Sequence, residues 1–453
     1  MSTNDDILNY GRPLTRRQFD AYCFCRIHPV HHLIEEVEWY SLFENRLLGL
    51  VVRDLTDNDF GFCILGRDSR RLFRCIYSCR EYFATPILAR KALAIKLSND
   101  FLGKIQEIYP QGDETLPALN LFNEILPESK QHPAYTLLSR QPKYEAARNL
   151  ISEIANSFVD KDGHYEQEFQ SINFQARLWE LYLHIYFYTT GLLSVNSHVS
   201  PDFEVSFFGE KLFIEAVTVN PSNDPKRPDP SSSQTQGEVN EKLNGFMQIK
   251  FGSALYSKLR KKYWELKHVQ GHSLILAIHD YHDSDSMTWS RNALLEYLYG
   301  VRTTRLKDSV KYSRIEKFFW NNKEISAGFF NLEGAENISA VLFSNQATIP
   351  KFNRMGKIAG LGSSEIKMKR TGCLYNPDGL DPIHFTLDID DPAYEEGWSD
   401  GLVMFHNPRA KIPVNKDIFN NISHIYYSEE TGYTGYYQPY DVLFSKTLVF
   451  IEV

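Results

Sequence analysis

Cysteine is scarce in this chain, with six in 453 residues, too few for a disulfide framework at this length. A reducing cytoplasm is therefore the expected compartment. Long apolar runs are missing as well. The longest, LWELYLHIYFYTTGLLSV, carries Glu180 and His184 and is too short to span a bilayer, so no membrane segment is expected. The opening MSTNDDILNYGRPLTRRQ has acids early and no apolar core, and a secretory leader is not expected there. Positive charge is not in excess. With 49 Lys and Arg against 57 Asp and Glu, the net charge of −8 excludes a uniformly basic nucleic-acid coat. It leaves room for a local basic cleft. The chain has no Gly-rich phosphate loop, no Ser nucleophile elbow, no zinc-protease helix and no long repeat. Cys23, Cys25, His28, His31 and His32 cluster in CFCRIHPVHH, but the C-x-C spacing fits a structural zinc poorly. Buried cysteines beside a His-rich loop are the expectation there.

What is present is an ordinary globular composition, 43% hydrophobic and 23% charged, long enough for two or three domains. Residues 1–125 read as an α+β domain. LLGLVVRDL and FGFCILGRD are strands about the turn TDND, and YFATPILARKALAIKLSND is a helix. The arginines of RDSRRLFRC form a solvated face or a phosphate contact. Residues 126–169 form a helical connector, and its DKDGHYEQEF lacks the spacing of a calcium loop. Residues 170–285 run helix, edge strand, two paired strands, linker, helix, strand. The Pro/Ser-rich linker from Pro221 to Glu241 is expected to be mobile. Residues 286–453 form a further α+β region packed on this core, with strands that can extend its sheet.

The stretch PDFEVSFFGEKLFIEAVTVNP concentrates the chemistry. A two-residue turn at Gly209-Glu210 would set Phe208 opposite Lys211, Glu204 opposite Glu215 and Asp202 opposite Val217. Alternation then gives one apolar face, with Phe203, Val205, Leu212 and Ile214. The other face carries Asp202, Glu204 and Glu215, with Asp202 diagonal to Glu215. Buried acids that close are costly without a cation among them. A hard divalent ion, Mg²⁺ or Mn²⁺, suits oxygen ligands and retains waters, one of which can serve as nucleophile. Glu180, mid-helix in RLWELYL, is a third acid in apolar surroundings.

A helix with Glu, a Pro-Asp strand, an acid on the next strand, then helix and strand resembles the PD-(D/E)xK nuclease superfamily. Within it the chain is similar to a group of bacterial proteins, through QSINFQARLWELYL, PDFEV…IEAVTVNP, SALYSKLRKKYWEL, LEYLYG, KFNRMG and FHNPRAKIPV. These motifs are spread over most of the chain. The resemblance implies an α/β core, α+β overall, with a central mixed sheet flanked by helices as in restriction endonucleases. It implies phosphodiester hydrolysis, with Asp202 and Glu215 holding Mg²⁺ and Glu180 as a helix-borne acid. DNA is expected in preference to RNA, in a setting of defence against foreign DNA. A catalytically silent scaffold that binds nucleic acid, a protein partner or a second copy is the alternative.

The superfamily lysine, two residues after the strand acid, is here Val217. Lys211 lies too far along the strand and belongs near the turn. Lys258, beside the buried stripe Leu255, Leu259 and Leu266 of the next helix, is the expected replacement, and some superfamily members carry such a relocated lysine. Lys258, Lys261 and Lys262 are the expected nucleic-acid contacts, with Lys262 one helical turn beyond Lys258. Arg260 joins them in a basic face. Lys351 and Arg354 in KFNRMG, and His406 and Asn407 in FHNPRA, are phosphate contacts or ordinary loop and turn residues.

Overall fold

A computed structural model of the chain describes residues 6–24, 33–194, 198–222, 229–230, 235–283, 289–305, 310–376, 378–379, 381–438 and 441–451. Cys25, His28, His31 and His32 lie outside the described residues. Two compact units are present. One comprises Met1–Ser129, Thr136–Asp160 and Phe352–Ser364; the other comprises Lys130–Tyr135, Lys161–Lys351 and Glu365–Val453.

In the first unit, five strands pair antiparallel in chain order: β1 (Gly11–Leu14), β2 (Ile34–Leu42), β3 (Leu47–Asp54), β4 (Phe60–Arg67) and β5 (Phe73–Ser78). The two apolar runs about TDND are β3 and β4. Helix α1 (Pro86–Lys96) starts where the Thr85 side chain caps the Leu88 N–H and Pro86 occupies the first turn. Its Ala89, Leu93 and Ala94 close the core over Leu47, Val51, Phe62 and Ile64. Each large side chain buried there contributes about 1.5–3 kcal/mol. Arg67, Arg70 and Arg74 of the arginine run are engaged inside this unit, while Arg71 is exposed. Arg67 forks onto Glu153 of α2 (Glu145–Ser157) at 2.7 and 3.0 Å, and Arg70 donates to the carbonyls of Asn156 and Phe158.

The second unit is built on an eight-stranded mixed sheet flanked by helices, the α/β core expected from the element order. Helix α3 (Phe174–Thr189) leads to the edge strand β6 (Leu193–Ser194) and the hairpin β7 (Phe203–Phe207) and β8 (Glu210–Val219). Helices α4 (Gln236–Lys242) and α5 (Phe246–Leu259) return the chain to β9 (Ser273–Asp280), parallel to β8. Every residue of β9 is buried, as a central strand covered on both faces requires. Beyond α6 (Arg291–Tyr299), two small hairpins follow: β10 (Val301–Arg305) with β11 (Val310–Arg314), and β12 (Lys317–Trp320) with β13 (Lys323–Ser326).

The sheet continues through β14 (Ala340–Ser344), parallel to β9. After helix α7 (Ile349–Ile358), β15 (Ile366–Leu374) and β16 (Ile383–Asp388) belong to a separate sheet. The large sheet then gains β17 (Leu402–His406), β18 (Ser423–Ser428) and β19 (Gly432–Tyr436), in the spatial order β19-β18-β17-β14-β9-β8-β7-β6. Strand β20 (Val442–Ile451) pairs with β15.

Alternation along β8 and β9 assigns the helices to opposite faces. Phe213, Val217, Leu274, Leu276 and Ile278 pack with Phe251, Leu255 and Leu259 of α5. On the other face the Trp179 indole of α3 donates to the Ala277 carbonyl at 2.9 Å.

The hairpin turn, expected at Gly209-Glu210, is Phe208-Gly209, with φ of 47° and 88°, the doubly positive geometry of a type I′ turn. Phe207 therefore pairs with Glu210, and Glu204 with Phe213. The slip is two residues, so no side chain changes face. Part of the expected linker is helix α4, begun by a reciprocal cap between Thr235 and Glu238; residues 223–228 and 231–234 lie outside the described residues. KFNRMG lies in helix α7, where a loop was expected. Its Lys351 is fully buried, donating to Glu396 at 2.7 Å and to the Gly397 carbonyl at 2.6 Å. Arg354, His406 and Asn407 are buried too, which removes all four from the phosphate-contact reading. Among the described residues no helix is long and apolar enough to cross a membrane.

Candidate active site

The hairpin fixes the two acids. Asp202 immediately precedes β7, whose first residue Phe203 pairs with Ile214, so it reaches the level of Glu215 on the neighbouring strand. The observed register makes the two acids direct neighbours where a diagonal relation was expected. Asp202 Oδ2 accepts the Ala216 N–H at 2.7 Å, which ties its carboxylate to β8. Glu215 is 4% exposed and projects toward α5 between the core residues Phe213 and Val217.

Lys258 meets it from the last turn of α5. Its Nζ donates to Glu215 Oε1 at 2.6 Å, and the Tyr263 hydroxyl donates to the same oxygen at 2.5 Å. The other carboxylate oxygen, Oε2, is buried with no hydrogen-bond partner. A cation from the neighbouring helix thus stands at the strand acid two residues before Val217. Val217 itself is a core residue, 2% exposed, whose side chain packs in the cluster under α5.

The remaining acids divide by partner. Glu204 is held by Lys211 at 2.7 Å and lies 3.4 Å from His198 Nδ1, which is a local ion pair near the turn. Glu180 rises from α3, the helix on the opposite face from α5. Both of its oxygens accept from Arg177 Nη1, at 2.9 and 2.7 Å, and Arg177 also binds Glu168. Burial pushes the Glu180 carboxyl far above the usual range, to about 8, with the Asp202 charge adding to it and Arg177 opposing. Asp202 retains some solvent contact, yet burial still lifts it to about 6; the Glu215 charge adds, and Lys258 and Arg177 pull the other way. Asp202 is therefore the acid that feels both neighbours.

A further cation went unread in the sequence. Lys161 donates to the backbone carbonyls of His198 and Asp202, at 2.5 and 3.1 Å. Burial lowers its pKa, while Asp202, Asp162, Glu180 and Glu204 raise it. It stands in the segment weighed only as a calcium loop, and no local pattern ties it to residues some forty positions away. Arg177 did carry a signal, since a basic residue three before Glu180 on a helix faces it.

The basic face is arranged differently from expectation. Helix α5 ends at Leu259, and Lys262 adopts a left-handed backbone, φ 50°, so it is not a helical turn beyond Lys258. The same break leaves Leu266 37% exposed and Tyr263 buried. Arg260, Lys261 and Lys262 are exposed, with Lys262 3.4 Å from Glu265.

Among the described residues no group of three or more His, Cys, Asp or Glu side chains is arranged to hold a metal. Asp202 and Glu215 are two carboxylates, and Mg²⁺ is commonly held by one or two carboxylates with water completing its shell. The unpartnered Glu215 Oε2 fits that role. Glu180, doubly engaged by Arg177, fits it less well. Compared with family models, curated proteins and solved structures, the chain matches none.

Proposed function

We propose that the protein is a metal-dependent nuclease of the PD-(D/E)xK type, hydrolysing phosphodiester bonds in DNA in preference to RNA within a reducing cytoplasm. The observation that carries this reading is the convergence on Glu215: Lys258 bonds one oxygen at 2.6 Å while the other is buried and unpartnered. Asp202 and Glu215 would hold Mg²⁺ or Mn²⁺, which when bound supplies charge stabilisation at the phosphate and activates a water. Lys258 places a fixed positive charge beside the phosphate, where negative charge develops as the bond breaks. Its ion pair with Glu215 holds it ready for that role. Tyr263 orients the Glu215 carboxylate through its own hydrogen bond. Arg177 and Lys161 limit the repulsion among Glu180, Asp202 and Glu215, and the exposed Arg260, Lys261 and Lys262 attract the nucleic-acid backbone.

The second reading, a scaffold that binds nucleic acid, a protein partner or another copy without cutting, is favoured by Val217 in the lysine position and by the closed pairing of Glu180 with Arg177. Incubating labelled DNA with protein in Mg²⁺, Mn²⁺ or EDTA separates the two. Metal-dependent cutting that disappears in Asp202→Asn supports the nuclease; binding with no cutting in either metal leaves the scaffold.

A further inference from the structure

Helix α5 and strand β8 run antiparallel and are pinned together at two points. Lys258 meets Glu215 at one end, and Lys250 donates to the Asn220 carbonyl at 2.9 Å at the other. Lys250, Ala254 and Lys258 recur every fourth residue, so they form one edge of the helix, about 12 Å long. The Lys250 end opens into a cleft of about 980 Å³.

The Trp320 indole lies against Phe246, ring centroids 5.5 Å apart, at the tip of the β12-β13 hairpin. Three asparagines line the space: Asn220 from the end of β8, and Asn321 and Asn322 from the hairpin turn. The Asn220 Nδ2 already donates to Thr218 Oγ1 at 3.3 Å, while its Oδ1 is buried without a hydrogen-bond partner. Lys250 is matched by Asp229 at 2.7 Å, whereas Lys323 stands at the rim with its Nζ 3.2 Å from Ser253 Oγ. A large aromatic face, amides able both to donate and to accept, and one rim cation are what an unpaired nucleobase and its phosphate require.

We propose that this cleft receives an unpaired base of the DNA strand, a short distance along the chain from the phosphate at Asp202 and Glu215. Trp320 stacks the base, the asparagine amides read its edge, and Lys323 contacts the flanking phosphate. The substrate is therefore single-stranded or locally unpaired DNA. The inference rests on the nuclease reading of the neighbouring acids.

The test is fluorescence anisotropy in EDTA, with a labelled single-stranded oligodeoxynucleotide and a blunt duplex of the same sequence. Trp320→Ala should weaken single-strand binding about tenfold and leave duplex binding unchanged. Trp320→Phe, which keeps an aromatic face and fills most of the same space, should stay near wild type. Single-strand binding unchanged in Trp320→Ala overturns the proposal, as does an equal loss in Trp320→Phe or an equal loss for duplex. Because no cutting is required, the two readings fail separately. Stacking at Trp320 without cleavage in Mn²⁺ keeps this inference and removes the nuclease; cleavage indifferent to Trp320 does the reverse.

Discussion

At the scale of single residues, the site works through charges held where they are costly. A preorganised donor beside the scissile phosphate is worth about 3 kcal/mol, or roughly a hundredfold in rate. Lys258→Ala should lower turnover by that order under saturating DNA while Mn²⁺ binding persists; turnover equal to wild type would show that Lys258 has no such role. The acids predict a pH dependence. The Asp202 carboxyl is raised to about 6, chiefly by burial and then by Glu215, so between about pH 4 and that value the folded chain holds more protons than the unfolded one. Stability of the metal-free protein should fall as pH rises through this window, and Glu180, raised to about 8, extends the fall. Asp202→Asn can still accept the Ala216 N–H, so it should lose metal binding yet melt higher than wild type above pH 6. Thermal unfolding in EDTA at pH 5 and 8 checks this, and a variant no more stable than wild type at pH 8 would contradict it.

At the scale of elements, the hairpin and the end of α5 decide what the site residues can reach. Phe208 is 91% exposed and sits at φ 47°, a left-handed conformation that asparagine tolerates far better. Phe208→Asn should stabilise the protein by about 1 kcal/mol in denaturant titration. A loss of stability would mean that the turn is held by something other than its local geometry. Lys262→Ala should weaken DNA binding and flatten its salt dependence by about one charge, with little effect on the rate at saturation. An equal fall in saturating rate would place Lys262 in the chemistry.

These two elements also mark where the sequence could be read and where it could not. Apolar alternation revealed β7, β8 and their faces, and the buried run SLILAIHD revealed β9, because burial is written into residue type. The turn was misplaced because Gly209 fits either central position, and nothing local announces a phenylalanine at positive φ. The end of α5 was missed because Arg-Lys-Lys-Tyr-Trp is compatible with a helix; the break follows from Tyr263 turning inward to Glu215. Lys258 was legible from the buried stripe beside it. Lys161 was not, since only the tertiary fold brings it to Asp202.

At the scale of the whole molecule, the net charge of −8 leaves any nucleic-acid contact to local basic groups, among them the exposed Arg260, Lys261 and Lys262 beyond the end of α5. Whether Asp202 and Glu215 share a divalent cation is settled by anomalous scattering from crystals soaked in Mn²⁺. A single strong peak is expected between the Asp202 and Glu215 carboxylates, absent from Asp202→Ala crystals treated the same way. Manganese bound elsewhere, with no density between these two acids in the wild type, would contradict the shared site.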